Sequence, residues 1–555
     1  MEKLTGYPSI DKPWLKYYSQ NAIDMSMPDC TMYEFIFQKN QDNFDKVAVN
    51  YYGTTVTYGQ MFQEISYLAG TLEKEGIKEG DVVTVCMINS PETVFLLFAL
   101  NKIGAIANMV CGLNTCNELL KCITNVDSKF VFTLDTFQDK FEQIADKIQV
   151  KKIVVHNSDR NSKTISLPKD SRFIMWEQFF GEKVESVQTC HNGNAPAVIT
   201  YTGGTTGGSK GALFSSKSMI VNAQQYVAGE CSLKRDNVWI QVMPLFIAYG
   251  LTFSLMVPLV AGMTIIIRTP MKDSIAELCQ EFKPNHIAYG PAYWEAFADE
   301  DKDLDLSYLI TPITGGDILN AATETKINKY LDKQGSRSPL LNGYGMTEAN
   351  VAVSVNYQHA YELGSVGIPF VKNTVSAFDL ETGKELKYGQ KGEICIQTPS
   401  MMLGYVNNQE ETDNVIKKHE DGKPWIHSGD FGYISENGFV YISGRLKRYM
   451  LHIANGIQKK IYSLDIEKVL LSHPKVDKCA VVPIHDEVTF QVPVAFIILQ
   501  NGCCLETELE DIKKYASQNL QGGYQPVQYI IVDKFPLTKV GKVDYLALEK
   551  LAEVQ

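Results

Sequence analysis

Apolar residues recur at helical spacing at Met61, Ile65, Leu68 and Leu72, and Gly76 ends the pattern, which predicts one amphipathic helix. Residues 81–88 form a mostly apolar run that predicts a buried strand. Ser90 and Pro91 then supply an N-cap and a first-turn proline for a helix running to Gly104. Residues 105–110 predict the next strand. Strand, helix and strand with short connections imply a parallel βαβ unit, and similar alternation continues past residue 300. The texture changes near residue 444. From Tyr462 onward the pattern predicts a helix, strands at 479–484 and 492–499, a helix at 506–520 and a strand at 527–532. The expectation is an α/β protein: a large N-terminal multi-sheet domain (1–444) and a small mobile α+β C-terminal domain (445–555).

The chain's 555 residues exceed what one hydrophobic core supports, in keeping with two domains. The longest apolar run, 251–267, is broken by Pro258 and Gly262 and predicts a helix followed by a strand, not a membrane span. A net charge of −12 argues against nucleic acid as a partner. Twelve cysteines at irregular positions, with no C-x-x-C pair, read as buried thiols of a reducing compartment. Cys503 and Cys504 are vicinal, and their role is open. The N-terminus lacks the apolar core of a signal peptide, so the expected location is cytoplasmic.

Candidate chemistry concentrates in Tyr201-Thr-Gly-Gly-Thr-Thr-Gly-Gly-Ser-Lys-Gly211, which follows the strand-like stretch 197–200. Glycines let several backbone N–H groups converge on an anion, hydroxyls donate further hydrogen bonds, and Lys210 brings positive charge. The run departs from the G-x-x-x-x-G-K-[ST] phosphate loop because glycine follows the lysine. It predicts a polyphosphate-binding loop.

Further segments gain meaning from their order: Gly315-Gly-Asp317, Asn342-Gly-Tyr-Gly-Met-Thr-Glu348, Trp425-Ile-His-Ser-Gly-Asp430, Gly444-Arg-Leu-Lys447 and Pro536-Leu-Thr-Lys-Val-Gly-Lys-Val-Asp544. Together with the glycine-rich loop they resemble the adenylate-forming superfamily of acyl-CoA synthetases, adenylation domains and firefly luciferase. The resemblance covers essentially the whole chain, and the loop's spelling is most similar to bacterial fatty acyl-CoA ligases. It implies an AMP-forming acid–thiol ligase: a carboxylate attacks the α-phosphorus of ATP, pyrophosphate leaves, and the acyl group passes from AMP to a thiol.

The resemblance assigns nucleotide binding to Thr202, Gly203, Gly204, Thr205, Thr206, Gly207 and Lys210, to Gly316 and Asp317, and to Asn342, Gly343, Tyr344, Gly345 and Met346. Thr347 would donate to the α-phosphate, and the Tyr344 ring would lie against adenine. Glu348 would hold Mg²⁺, a hard cation that bridges phosphate oxygens. Asp430 would accept from both ribose hydroxyls, with Arg445 beside it. Lys542 would stabilise charge in the adenylation transition state. Lys447 would be the hinge about which the small domain rotates between half-reactions.

Phe246, Ile247 and Tyr249, with Tyr289, Gly290 and Pro291, fall in segments that resemble the family's acid-pocket walls. No aspartate lies in 244–250, which argues against an amino-acid substrate and for a fatty or other apolar acid. The segment 455–463 departs from the family's thioester-forming loop, being longer and without proline. The acceptor therefore stays open between CoA and the pantetheine arm of a carrier protein acting in trans. A catalytically silent nucleotide-binding protein and a luciferase-like oxygenase are the other readings, and a homodimer is left open.

Overall fold

The structure, a computed structural model, describes residues 4–554 apart from 160–164, 187–188, 203–208, 270–272, 446–448, 455–456, 501–504, 521–523 and 539–541. Two large, mainly parallel sheets carry most of the chain. The first runs, edge to edge, through Ile368–Pro369, Val351–Val355, Leu341–Met346, Thr311–Gly315, His286–Tyr289, Val238–Gln241, Thr264–Ile267, Val47–Tyr51 and Thr54–Thr57. The second runs through Gly404–Tyr405, Gly211–Ser215, Pro196–Tyr201, Ile106–Met109, Val82–Cys86, Phe130–Leu134, Lys152–His156 and Phe173–Met175.

The apolar periodicities map onto these elements. Met61, Ile65, Leu68 and Leu72 are buried on helix Tyr58–Lys74, after which Gly76 adopts a positive φ of 83°. Ser90 caps helix Pro91–Lys102 by accepting from the Thr93 N–H, and the strands on either side pair in parallel. Nearly every residue of that helix is buried, as expected of a helix apolar on all faces. One continuous core joins both sheets, from Val83, Val85 and Phe130 to Trp239, Ile265 and Leu341. Replacing Ser90 by alanine should destabilise the large domain by about 1 kcal/mol, the usual weight of a lost N-cap. A lowered thermal midpoint checks this.

A third sheet of Thr374–Phe378, Gly392–Gln397, Pro424–Ile434, Ile416–Lys418 and Val440–Arg445 has its own core of Val375, Ile394, Ile396, Ile426 and Val440. The C-terminal unit follows, built on Ile457–Tyr462, Tyr449–Ala454, Phe490–Leu499, Val476–Asp486 and Gln528–Ile531, with helices Ser463–Leu471, Leu505–Asn519 and Tyr545–Val554. Met450, Ile466, Leu470, Ala495 and Ile512 form a core separate from the large domain's.

Two features differ from the sequence expectation. The stretch 455–463, expected as a loop, contributes strand Ile457–Tyr462, paired in register with Tyr449–Ala454. The terminal helix Tyr545–Val554 was not expected, although Leu548 and Ala552, four apart, bury its one apolar face. Of the described cysteines, Cys86, Cys122, Cys279 and Cys395 are buried, whereas Cys231 is exposed and the others are half-buried. Cys503 and Cys504 lie outside the described residues.

Candidate active site

The glycine-rich run joins strands Pro196–Tyr201 and Gly211–Ser215, which pair antiparallel as the two arms of a hairpin. Its neck is tied on both sides. Thr202 N–H donates to the Lys210 carbonyl at 3.0 Å, Lys210 N–H donates to Thr202 Oγ1 at 3.2 Å, and Ser209 Oγ donates to the Thr202 carbonyl at 2.7 Å. Gly203, Gly204, Thr205, Thr206 and Gly207 lie outside the described residues.

At the base of that hairpin, Lys210 pairs with Glu411 and stands over the Tyr405 ring, 5.0 Å from its centroid. The Tyr405 hydroxyl in turn donates to Glu348 Oε1. Burial and the adjoining carboxylate push the Tyr405 phenol well above the usual tyrosine range. A chain of contacts therefore links the lysine of the glycine-rich run to the carboxylate expected to hold a cation. Tyr405 and Glu411 were missed by sequence reasoning. Each is an isolated residue of a common type outside any motif, and only the pairing of Tyr405 with Ala212 brings it to the loop.

Glu348 lies in a short turn, Thr347–Ala349, that follows strand Leu341–Met346. The chain reverses there so tightly that a Cβ on Gly345 would fall 1.4 Å from the Val351 carbonyl oxygen, which explains the glycine. Asn350 and Val351 both take positive φ, at 58° and 77°. For a β-branched valine that is strained backbone, of a kind held only where surroundings enforce it. Thr252 Oγ1 donates to Asn350 Oδ1 at 2.8 Å, and Met402 N–H donates to the Glu348 carbonyl at 2.9 Å, fixing the turn. A carboxylate beside a loop expected to bind polyphosphate suits Mg²⁺, which binds through one or two carboxylates and otherwise through phosphate oxygens and water. The donor set therefore fits that ion.

Asp430 is 4% exposed and faces two partners. The Tyr344 hydroxyl donates to its Oδ2 at 2.6 Å, and Arg445 Nε donates to its Oδ1 at 2.9 Å. Antiparallel pairing of Pro424–Ile434 with Val440–Arg445 sets Asp430 directly opposite Arg445. Ser428 Oγ accepts from the Asp430 N–H at 3.0 Å. Burial first, and the Asp430 charge second, hold the Tyr344 phenol far above its ordinary range. A carboxylate offers about four lone-pair positions, so two remain for incoming hydroxyls.

Lys542 approaches from the small domain. Its loop is closed at the neck much as the glycine-rich loop is: Thr538 N–H donates to the Lys542 carbonyl at 2.7 Å, and Lys542 N–H donates to Thr538 Oγ1 at 3.1 Å. Gly541 lies outside the described residues, as does Lys447. Solvent reaches the Lys542 side chain, yet it stands in a crowded cleft whose desolvation is the first cause of a depressed ammonium pKa. The charges it feels are Asp317, then Arg445, Asp430 and Glu348. Segments far apart in sequence thus converge on one ammonium group. An ion pair between Lys478 Nζ and Glu295, 2.7 Å apart, also bridges the two domains.

Gly316 has a φ of +90°, and a Cβ there would lie 3.9 Å from the Tyr249 ring, so the Gly316–Asp317 segment abuts the expected acid-pocket wall. Phe246, Ile247 and Tyr249 are half-buried at the entrance of the wide helix Tyr249–Met256. Tyr289 ends a strand, Gly290 caps and Pro291 begins helix Pro291–Asp299, and Tyr289 packs on Tyr293 at 4.0 Å between centroids. Asn342 is buried and donates to the Ser365 carbonyl at 3.3 Å, while Met346 packs against the third sheet's core.

A family model described as "AMP-binding enzyme" matches residues 36–406, and one described as "AMP-binding enzyme C-terminal domain" matches residues 465–542. The chain is 30% identical over 512 residues to 4-coumarate–CoA ligase CCL1 of Humulus lupulus, covering 88% of each chain. It is 26% identical over 557 residues to a long-chain-fatty-acid–CoA ligase of Bacillus subtilis, covering 96% of each. Among solved structures, the anthranilate CoA ligase AuaEII in complex with anthranoyl-AMP superposes with a TM-score of 0.82 at 21% identity, over 96% of this chain and 99% of that one. ATP-bound MatB from Rhodopseudomonas palustris gives 0.82 at 24% identity, over 95% and 99%. Both likenesses concern the fold: a large α/β domain and a smaller C-terminal domain. Among the described residues, no helix is long and apolar enough to cross a membrane.

Proposed function

The chain belongs to the AMP-binding enzyme family, and on that premise we propose that its cleft joins an apolar carboxylic acid to CoA through an acyl-AMP. The family model and the CoA ligases among its relatives support an AMP-forming acid–thiol ligase that forms acyl-CoA with ATP. The observation that carries the finer reading is the position of Lys542 among Asp317, Arg445, Asp430 and Glu348.

In the first half-reaction the acid's carboxylate oxygen attacks the α-phosphorus, and the bond to the β-phosphate oxygen breaks to release pyrophosphate. Negative charge builds on the α-phosphate oxygens as this happens. The Lys542 ammonium neutralises it and offsets the repulsion between the incoming carboxylate and the nucleotide. Thr202 and Lys210 hold the departing phosphates with the glycines between them, and Asp430 holds the ribose. Glu348 would hold Mg²⁺, whose contribution is to neutralise phosphate charge. In the second half-reaction a CoA thiolate attacks the acyl carbonyl and AMP leaves. The division of the chain at 444/445, with Lys447 as hinge, lets the small domain withdraw Lys542 before that step.

Withdrawal must break the Lys478–Glu295 ion pair. Partly exposed pairs of this kind contribute about 1 kcal/mol or less. Glu295→Ala is therefore expected to slow adenylation by less than about tenfold and to leave or raise the thioester rate, read from single-turnover assays of each half-reaction.

An apolar tail is favoured by Phe246, Ile247 and Tyr249, and by the exposure of Asp317, whose charge acts on Lys542. Each buried CH₂ contributes about 0.8 kcal/mol, and a buried ammonium without a carboxylate partner costs several kcal/mol. In a pyrophosphate-release assay with ATP and Mg²⁺, hexanoate and longer acids should outperform acetate and every standard amino acid. A free amino acid as best substrate would overturn the pocket reading. Supplying CoA or a carrier protein to the preformed acyl-AMP then decides the acceptor.

A further inference from the structure

Nucleotide chemistry leaves unused a cluster of metal-ligating side chains on the third sheet. Cys395, on strand Gly392–Gln397, pairs across the sheet with His427 on Pro424–Ile434, so the two side chains share a face. His419 stands in the turn between Ile416–Lys418 and Pro424–Ile434. That turn is held by His419 N–H donating to the Lys423 carbonyl at 3.1 Å and Gly422 N–H donating to the His419 carbonyl at 2.9 Å. The His419 ring is clamped between Trp425, 5.2 Å away and nearly parallel, and Phe378 at 4.6 Å.

One ligand atom from each of Cys395, His419 and His427 lies within 4.8 Å of the other two. His419 Nε2 and His427 Nε2 are 2.9 Å apart, and Cys395 Sγ is 3.6 Å from His427 Nδ1. Cys395 is fully buried and both imidazoles are half-buried. Behind them, Glu393 Oε2 contacts His427 Nδ1 at 2.8 Å.

We propose that Cys395, His419 and His427 bind one Zn²⁺ ion, with Glu393 orienting His427 from behind. Two imidazoles and a thiolate are a borderline-soft set that suits zinc and disfavours magnesium or calcium. Glu393 accepting from Nδ1–H leaves the Nε2 lone pair facing His419, the carboxylate–histidine–metal arrangement common at such sites. Two nitrogens on one tetrahedral zinc lie about 3.3 Å apart, given bonds of about 2.0–2.1 Å, a few tenths of an ångström beyond the spacing here. Binding takes Cys395 as thiolate and releases its proton to solvent, and water completes the fourth position.

Glu393 Oε1 also accepts from the Gly429 N–H at 3.1 Å, and Asp430 is the next residue. A bound ion would brace the strand that presents the ribose-binding carboxylate.

Untagged full-length protein, stripped with chelator and titrated with Co²⁺, tests this. One equivalent is expected to give tetrahedral visible bands and a thiolate-to-cobalt charge-transfer band, both lost on adding Zn²⁺. Cys395→Ser should lose the charge-transfer band. His419→Asn should weaken Zn²⁺ binding at least tenfold, and Glu393→Gln about 10–100-fold. Circular dichroism of each metal-free variant establishes that it is folded. Absence of the charge-transfer band in folded wild type, or equal Zn²⁺ affinity in wild type and folded His419→Asn, would overturn the proposal.

Discussion

Lys542→Ala is expected to slow acyl-AMP formation by about 10²-fold or more, the usual consequence of losing one electrostatic stabiliser at developing charge. Thioester formation from preformed acyl-AMP should be largely spared, because the lysine loop will have left the cleft by then. The geometry makes the asymmetry specific. With the small domain in its present position the charges of Asp317, Asp430 and Glu348 act on Lys542, and its loop is closed by its own Thr538 contacts. Alanine therefore removes charge without removing a contact the fold depends on. Equal loss in both half-reactions would contradict domain rotation. Unchanged adenylation would contradict the lysine's role.

The same residue sets a pH signature. Desolvation lowers the Lys542 pKa below the ordinary lysine value of 10.5, ahead of the opposing pull of Asp317. A lysine so depressed is protonated, and active as a cation, below its shifted pKa and loses its proton as pH rises through it. The kcat/KM for adenylation, which reports the free enzyme, should thus fall on the alkaline side earlier than an ordinary lysine would allow. That limb should disappear from the residual activity of Lys542→Ala.

Local pattern carried the fold's elements well where one period dominated. Helix Tyr58–Lys74 and the βαβ unit around Pro91–Lys102 are examples, because amphipathic spacing, a serine cap and glycine stops all agree there. It failed at Ile457–Tyr462, whose pairing with Tyr449–Ala454 is a contact between segments that no single-segment pattern reports. The site divides the same way. Lys542, Asp430 and Glu348 could be named as candidates because they sit in motifs whose order along the chain is informative. Tyr405 and Glu411 enter only because Gly404–Tyr405 adds an edge to the second sheet. Cys395, His419 and His427 were equally invisible, since sheet register and a turn, not sequence spacing, bring them together.

Asp430→Ala should raise the KM for ATP by about 10²-fold, with a smaller change in kcat. The carboxylate is nearly fully buried, and Tyr344 and Arg445 already occupy part of its capacity. Those contacts hold its remaining lone pairs toward the cleft, where two ribose hydroxyls would donate. Hydrogen bonds to a charged group contribute about 1.5–3 kcal/mol each, so losing a pair should exceed a factor of 10² before the released Tyr344 and Arg445 recover part of it through water. A nucleotide comparison separates this from general damage to the site. For wild type, 2′-deoxy-ATP should bind at least about tenfold more weakly than ATP, one such bond's worth. For Asp430→Ala the two nucleotides should bind alike, because the acceptor that distinguishes them is gone. If the variant still prefers ATP by the wild-type ratio, the ribose is read by another group, and Asp430 serves only to hold Tyr344 and Arg445 in place.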